Sequence, residues 1–128
     1  MNWLLDTHIF LWVLDDSAKL SPRARQMVLA PDARCFVSAI SFWEIAIKTG
    51  LRRKQFKIDV GKLVTGALAA GLELLPFDPE HAVKVAHLPL HHSDPFDRAL
   101  VAQAQSTRMT LLTRDAVLER YGKSVRLI

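Results

Sequence analysis

The sequence predicts an α/β fold in which helices cover both faces of a mostly parallel sheet. Short apolar runs alternate with segments of helical periodicity along the whole chain, which is the pattern that parallel sheets produce. The connections between these segments are short, and the chain has no internal repeats or low-complexity tracts. Half of the 128 residues are hydrophobic, so the chain can build a substantial core. We therefore expect a single domain that spans residues 1–128.

The individual elements follow from apolar spacing and from helix start and stop signals. Strands are expected at 2–5, 35–37, 72–75, 110–112 and 125–127, and helices at 9–14, 21–29, 38–49, 60–71, 78–86 and 94–104. Asp78 precedes Pro79 at one helix start, and we interpret it only as a cap. Gly50 is the expected end of the helix that begins at residue 38.

The charge balance is basic, with 17 Lys and Arg against 13 Asp and Glu, a formal net charge of +4 and a pI near 9.6. If several acids gather in one site, the remaining surface becomes more basic still. An acidic pocket on a basic body suits a metal-using enzyme with a polyanionic substrate. A basic soluble domain without that chemistry is the common alternative, and charge alone does not decide between them.

Cysteine usage and apolar runs predict the compartment. The lone cysteine, Cys35, has no internal partner for a disulfide, which suits a reducing environment. The first residues lack a basic flank and Asp6 interrupts their apolar run, so we expect no signal peptide. No apolar run approaches the ~18 residues that a membrane span needs. The sequence therefore predicts a cytoplasmic protein without a membrane partner.

Two aspartates follow predicted strands directly. Asp6 comes after the strand at 2–5, and Asp115 lies just beyond the strand at 110–112. Ligands of open α/β sheets bind at the carboxyl ends of the strands, so both side chains are candidates for a site. Asp6 can equally serve as the N-cap of the following helix, and that alternative stays open.

Two further aspartates crowd one helix start in residues 92–104. Asp94 is a good N-cap with Pro95 at the first helical position, and Asp97 falls on the same face three residues later. Acids at a helix N-terminus satisfy free N–H groups and oppose the helix dipole. This stretch alone therefore favours capping over chemistry.

Glu44 lies on the only polar stripe of a helix that is otherwise apolar nearly all round. Ser41, Glu44 and Lys48 occupy this stripe at helical spacing. Ser41 and Glu44 match a capping box, and Glu44 with Lys48 matches an i,i+4 ion pair. A carboxylate on an otherwise apolar helix needs a partner, and a metal ion is a further option.

A basic segment runs from Lys48 to Lys62 and contains one acid, Asp59. Its cations could form a flank that contacts the phosphates of a nucleic acid, or a solvated loop. The candidates for this phosphate contact are Lys48, Arg52, Arg53 and Lys54.

The four acids Asp6, Glu44, Asp97 and Asp115 are therefore expected around one edge of the sheet. Each has a local explanation, but four such explanations would have to coincide at the same place. Carboxylates are hard ligands suited to Mg²⁺ or Mn²⁺, and their mutual repulsion favours a cation among them. Phosphodiester hydrolysis is the chemistry that uses such a cluster.

The chain resembles a PIN domain, and within that family a VapC-type toxin ribonuclease. The matching segments span almost the whole chain in the order of the family: 4–8 (LLDTH), 41–48 (SFWEIAIK), 92–98 (HSDPFDR), 102–104 (AQA) and 112–115 (LTRD). The resemblance implies a three-layer α/β/α sandwich with strand order 3-2-1-4-5. It also implies a Mg²⁺-dependent endoribonuclease, with Mn²⁺ as the alternative ion.

By the same resemblance, the catalytic residues would be Asp6, Glu44, Asp97 and Asp115, with Asp6 and Asp97 as the principal metal ligands. Asp94 matches an acid common in this subgroup and is held in a second tier. Thr7 and Thr113 would support the ligands through hydrogen bonds.

The resemblance further implies a cognate antitoxin protein and a homodimer. The helix at 9–14 offers a place for the antitoxin, because it is apolar on more faces than a one-sided core contact requires. Trp12 could then line an apolar groove beside the helix that begins at Val60. Burial inside the fold is the alternative, particularly for Phe10 and Leu14.

Other functions fit the sequence less well. The five histidines show no zinc-binding spacing. Asp6 could suggest an aspartyl phosphotransferase, but such sites usually carry a second acid two residues on, where this chain has His8. A catalytically silent interaction module with a PIN-like fold remains the alternative from another class, and a metal titration discriminates it.

Overall fold

The computed structural model describes residues 1–51 and 58–128. A five-stranded, all-parallel sheet forms its centre, in the order β3-β2-β1-β4-β5. The strands are β1 (Asn2–Leu5), β2 (Arg34–Ser38), β3 (Glu73–Leu75), β4 (Thr110–Thr113) and β5 (Val125–Leu127). The helices are α1 (Thr7–Leu14), α2 (Pro22–Leu29), α3 (Ala39–Leu51), α4 (Val60–Ala69), α5 (Pro79–His87) and α6 (Pro95–Thr107). The predicted fold class and strand order are confirmed.

Helices cover both faces of the sheet because the inner strands are apolar on both sides. In β1, Leu5 packs in a cluster with Phe10 of α1, whereas the neighbouring Leu4 packs in a second cluster with Leu100 of α6. Successive strand residues point to opposite faces, so one continuous apolar run supplies two cores. Leu4, Leu5, Phe10 and Leu100 are all fully buried. The result is the three-layer sandwich that the sequence predicts.

The strand register brings three polar residues side by side at the carboxyl edge. Leu5 of β1 pairs with Val37 of β2 and with Leu112 of β4. One residue further along each strand come Asp6, Ser38 and Thr113, and all three side chains are buried. This edge is where the sheet presents its buried polar groups.

Two local expectations need correction. Helix α3 continues through Gly50 to Leu51, so Gly50 does not end it. Gly50 keeps a negative φ, whereas a helix-ending glycine adopts the left-handed region, as Gly71 does just after α4 with φ of 81°. The predicted helix at 60–71 is also too long, because α4 ends at Ala69.

One element was not expected from the sequence. A 3₁₀ helix spans Ala116–Tyr121 between β4 and β5, and Asp115 is its N-cap. Leu118 and Tyr121 from this turn are buried against the α6 side of the sheet. Its short length gives it no helical repeat to detect.

Asp78 stands at the N-cap of α5, as predicted. The backbone N–H of Asp78 donates to Nδ1 of the buried His81 side chain at 2.9 Å. Within the residues that the structure describes, no helix is long and apolar enough to cross a bilayer.

Candidate active site

Asp6 combines the two roles that the sequence left open. Its Oδ1 accepts the N–H of Ile9 at 2.8 Å and so caps α1, while its Oδ2 accepts the hydroxyl of Thr113 at 2.6 Å. The side chain is only 6% exposed. Burial raises the pKa of Asp6, and the hydrogen bonds from Thr113 and Ile9 oppose that rise. Capping therefore fixes the carboxylate at the strand edge without removing it from the site.

Glu44 is held on the inward face of α3 by a hydroxyl and an ammonium group. Thr7 donates its hydroxyl to Oε1 at 2.7 Å, and Lys48 Nζ lies 2.5 Å from Oε2. The Oγ atoms of Ser41 and Thr7 are 2.9 Å apart, so Ser41 is part of the same network. Because α3 begins at Ala39, Ser41 is inside the helix and the capping-box interpretation of Glu44 is wrong. The i,i+4 ion pair with Lys48 is present.

Asp97 lies in the first turn of α6, beside the other acids. Burial raises its pKa to about 7, and the charges of Asp94, Asp6 and Glu44 contribute to the rise. Nearby His92 opposes it. A carboxyl group with such a perturbed pKa, close to other acids, is typical of a functional site.

Asp94 caps α6, as the local sequence favours. Its Oδ1 accepts the N–H of Phe96 at 2.8 Å and of Asp97 at 3.3 Å. The same charge acts on Asp97, so the cap also contributes to the electrostatics of the site.

Thr113 joins Asp6 to Asp115. Its hydroxyl donates to Asp6 and accepts the backbone N–H of Asp115 at 3.0 Å. Asp115 Oδ1 in turn accepts the N–H of Val117 at 3.0 Å, and Oδ2 lies 2.8 Å from His92 Nε2. Thr7 and Thr113 thus each donate a hydrogen bond to one of the predicted acids, Glu44 and Asp6 respectively.

The structure therefore brings the four predicted acids close together: Asp6 and Glu44 act electrostatically on Asp97, and Asp115 lies beside Asp97. We call Asp6, Glu44, Asp97 and Asp115 the acidic cluster. Carboxylate oxygens are the donors that Mg²⁺ and Mn²⁺ prefer. Burial and, after it, the charges of neighbouring acids raise the pKa of Asp97, and a cation would offset those charges. The donor set thus fits a divalent metal ion, with Asp6 and Asp97 as candidate ligands.

Sequence reasoning missed His92, which lies next to the cluster. One oxygen each of Asp97 and Asp115 and one ring nitrogen of His92 lie within 4.8 Å of one another. The contact between His92 and Asp115 joins residues 23 positions apart, so no local pattern reveals it.

An open groove adjoins the cluster between α1 and α3, with a volume of about 450 Å³. Thr7, Glu44 and Lys48 line its polar end, and Leu11 and Ile45 belong to its apolar wall. The sequence placed a groove between the first helix and the helix from Val60. Those helices instead approach each other closely, since a Cβ on Gly66 would lie 3.8 Å from Leu14.

The candidate RNA-contact residues divide in two. Lys48 is at the lip of the groove, with its side chain 57% exposed despite its contact with Glu44. Arg52, Arg53 and Lys54 lie outside the described residues.

Fold and site together define an α/β domain that gathers acidic side chains at the carboxyl edge of a parallel sheet. The family model described as PIN domain matches residues 3–124, and the chain belongs to this family. No curated protein sequence matches the chain significantly.

Among solved structures, the chain is similar in fold to several VapBC proteins. A chain of VapBC2 from Rickettsia felis, bound to a DNA fragment from their promoter, is 16% identical with a TM-score of 0.71, covering 100% of this chain and 98% of that one. A chain of DNA-bound VapBC from Salmonella typhimurium is 18% identical with a TM-score of 0.71, and the match covers 100% of this chain and 97% of that one. A chain of VapBC-5 from Mycobacterium tuberculosis, a member of the VapBC family of toxin-antitoxin systems, is 20% identical with a TM-score of 0.62. This match covers 99% of this chain and 97% of that one.

Proposed function

We propose that the chain is a metal-dependent endoribonuclease of the VapC type, the toxin of a toxin–antitoxin pair. The observation that carries the proposal is the acidic cluster, in which buried Asp6 and half-buried Asp97 face other carboxylates at the edge of a PIN-family sheet. Membership of the PIN family and the fold similarity to members of toxin–antitoxin systems support it.

Asp6 and Glu44 are held in place by neighbouring groups. Thr113 and the N–H of Ile9 fix both oxygens of Asp6, and Thr7 fixes one oxygen of Glu44. These bonds set the direction of the remaining lone pairs, so the ligand geometry exists before substrate binds. A bound Mg²⁺ would supply the positive charge that orients a water molecule and stabilises the charge on the phosphate.

Lys48 is the residue at the groove best placed to meet a phosphate. Its ammonium group is close to Glu44, and the hydrogen bond to Glu44 raises the pKa of Lys48. A lysine that stays charged beside the cluster can offset the repulsion between the acids and an approaching RNA backbone. Arg52, Arg53 and Lys54 remain candidates for the same role.

A homodimer is supported by an exposed apolar stripe on α3. Trp43, Ile47 and Leu51 follow one another at i, i+4 and i+8, and they are 57%, 36% and 81% exposed. Trp43 also packs edge-on against Phe96 at 5.3 Å, beside the start of α6. A stripe of this kind beside the site is suited to contact between two copies.

The first prediction is metal-dependent cleavage that needs Asp6 and Asp97. Purified protein should cut members of a panel of structured and unstructured RNAs, stop in excess EDTA and resume with Mg²⁺ or Mn²⁺. Asp6→Asn and Asp97→Asn should each lower kcat by more than the roughly 10–100-fold that loss of an outer hydrogen-bond partner costs.

The matched control is Asp78→Asn, because Asp78 is an aspartate at a helix start outside the cluster. It should leave cleavage unchanged. Full activity in EDTA, or an essential Asp78 with a dispensable Asp97, would contradict the assignment. A folded protein that binds neither ion and cuts no RNA would support the silent interaction module instead.

A further inference from the structure

His92 is a nearly buried side chain that touches two segments of the site and has no role in the function proposed above. Its Nε2 lies 2.8 Å from Oδ2 of Asp115 and 3.7 Å from Oδ2 of Asp97. On the other side of the ring, Nδ1 accepts the backbone N–H of Asp94 at 3.0 Å. The side chain is 16% exposed. The imidazole therefore spans the gap between the start of α6 and the start of the 3₁₀ helix.

The contacts define which ring nitrogen carries the proton. Because Nδ1 faces an N–H group, it must present a lone pair, and the ring proton belongs to Nε2. Nε2 then donates to the carboxylate of Asp115. Although Nε2 is close enough to Asp97 and Asp115 to share an ion with them, in this tautomer it has no lone pair to offer. The geometry therefore favours an orienting role over direct metal binding.

Both groups that His92 holds are tied to acids of the cluster. Asp115 caps the 3₁₀ helix through Oδ1, so the bond from His92 to Oδ2 fixes its second oxygen. The N–H of Asp94 precedes the turn that carries Asp97. We propose that His92 is a positioning residue, a hydrogen-bond bridge that sets the separation of Asp97 and Asp115. The part of this inference that concerns turnover rests on the proposed nuclease function.

Two variants separate the halves of the bridge. The amide oxygen of Asn can replace Nδ1 as acceptor but cannot reach Asp115, whereas the amide nitrogen of Gln can replace Nε2 as donor. His92→Gln should keep Mg²⁺ affinity, measured by titration calorimetry without RNA, within about threefold of wild type. His92→Asn and His92→Ala should weaken it about tenfold or more, as loss of an orienting partner does.

Turnover should follow the same ranking, in kcat at saturating Mg²⁺, while KM for RNA stays constant. The control is His91→Asn, since His91 is the neighbouring histidine and its ring packs on Tyr121 at 5.0 Å. This variant should match wild type in Mg²⁺ affinity and kcat. Equal losses in His92→Gln and His92→Ala, or no loss in any His92 variant, would overturn the bridge.

A spectroscopic test uses the wild-type protein and needs no variant. Long-range ¹H–¹⁵N spectra of labelled histidine should show the proton of His92 on Nε2, both without Mg²⁺ and with Mg²⁺ added. A proton on Nδ1 would instead make His92 a ligand and end the proposal. If the protein binds Mg²⁺ with the expected ranking but cuts no RNA, the nuclease proposal fails and the bridge stands.

Discussion

At the residue scale, the same carboxylate can cap a helix and belong to a site. The sequence offered these as alternatives for Asp6, but the structure uses one oxygen for the cap and turns the other toward Thr113. Capping places a carboxylate at a helix start, and in this fold the start of α1 is at the carboxyl edge of the sheet. The two roles therefore require the same position.

Asp97 leads to a prediction about pH. An unfolded aspartate titrates near pH 4, and in the folded protein burial and the charges of Asp94 and Asp6 raise the pKa of Asp97 to about 7. The folded state thus binds a proton more readily than the unfolded state. The stability that Asp97 contributes is fully present below about pH 4 and is lost as the pH rises through 7. A change of this size corresponds to at most about 4 kcal/mol.

Asp97→Asn, which imitates the protonated side chain, should therefore raise the Tm of the metal-free protein at pH 8. The difference from wild type should grow between pH 4 and pH 7 and then stay constant. Thermal denaturation in EDTA across this range measures it. Asp32→Asn is the control, because Asp32 is an exposed acid in a turn outside the cluster, and it should show no such growth. A Tm difference that does not change with pH would argue against the raised pKa.

At the element scale, substitutions of Asp94 test whether the N-cap of α6 also takes part in catalysis. Asp94→Asn keeps an oxygen for the N–H groups of Phe96 and Asp97, so the free energy of unfolding should change by only a few tenths of a kcal/mol. Asp94→Ala removes the cap and should cost about 1 kcal/mol. Urea denaturation measures both.

Cleavage then separates the two roles of Asp94. If it acts only as a cap, Asp94→Asn retains turnover. We expect this outcome, because both hydrogen bonds that the structure gives to its side chain are capping bonds. A loss of kcat as large as that of Asp97→Asn would move Asp94 into the ligand set.

Element positions were predicted well where the signal is local. Ser21 and Pro22 predict the start of α2, and Asp94 and Pro95 predict the start of α6, because caps and first-turn prolines act within a few residues. Gly50 misled the prediction because a glycine permits a helix end without imposing one.

Most of the candidate site could also be predicted, but not the contacts that hold it. Each acid of the cluster follows a strand or lies on a helix whose register the sequence indicates. The bonds from Thr113 to Asp6 and from His92 to Asp115 join residues 107 and 23 positions apart. Such contacts depend on how the chain folds back, which periodicity does not encode.

At the scale of the whole molecule, the parallel topology is what assembles the site. Because β1 pairs with both β2 and β4, the residues that follow these strands meet at one edge. Helix α3 packs against both hydrophobic cores at this edge. Ile45 belongs to the core that contains Phe10 of α1, and Ile40 belongs to the core that contains Leu100 of α6. That position carries Glu44 and Lys48 between the two cores and places the groove next to the acids.

The last prediction concerns the proposed antitoxin. Phe10 is fully buried, so for this residue the alternative of burial inside the fold holds. Leu11 and Trp12 are partly exposed; Leu11 lines the groove, and Trp12 is the next residue along α1. The guanidinium of Arg114 lies 5.8 Å from the centre of the Trp12 ring, which leaves an apolar surface with a charged rim. An apolar helix of a partner fits such a groove, and a basic side chain on it could reach the acidic cluster.

Co-expression with the product of the adjacent reading frame should therefore give a stable complex in which cleavage is suppressed. Trp12→Asp should weaken that complex by placing a charge on the apolar surface of α1 next to the groove, and Trp12→Ala should weaken it less. The control is Val83→Asp, since Val83 is 59% exposed on α5, across the sheet from α1, and should bind like wild type. Circular dichroism establishes that each variant is folded, and calorimetry gives the affinity. If no product of a neighbouring reading frame binds or inhibits an active enzyme, the chain acts as a stand-alone nuclease. If Trp12→Asp and Val83→Asp weaken the complex equally, the partner does not bind at this surface of α1.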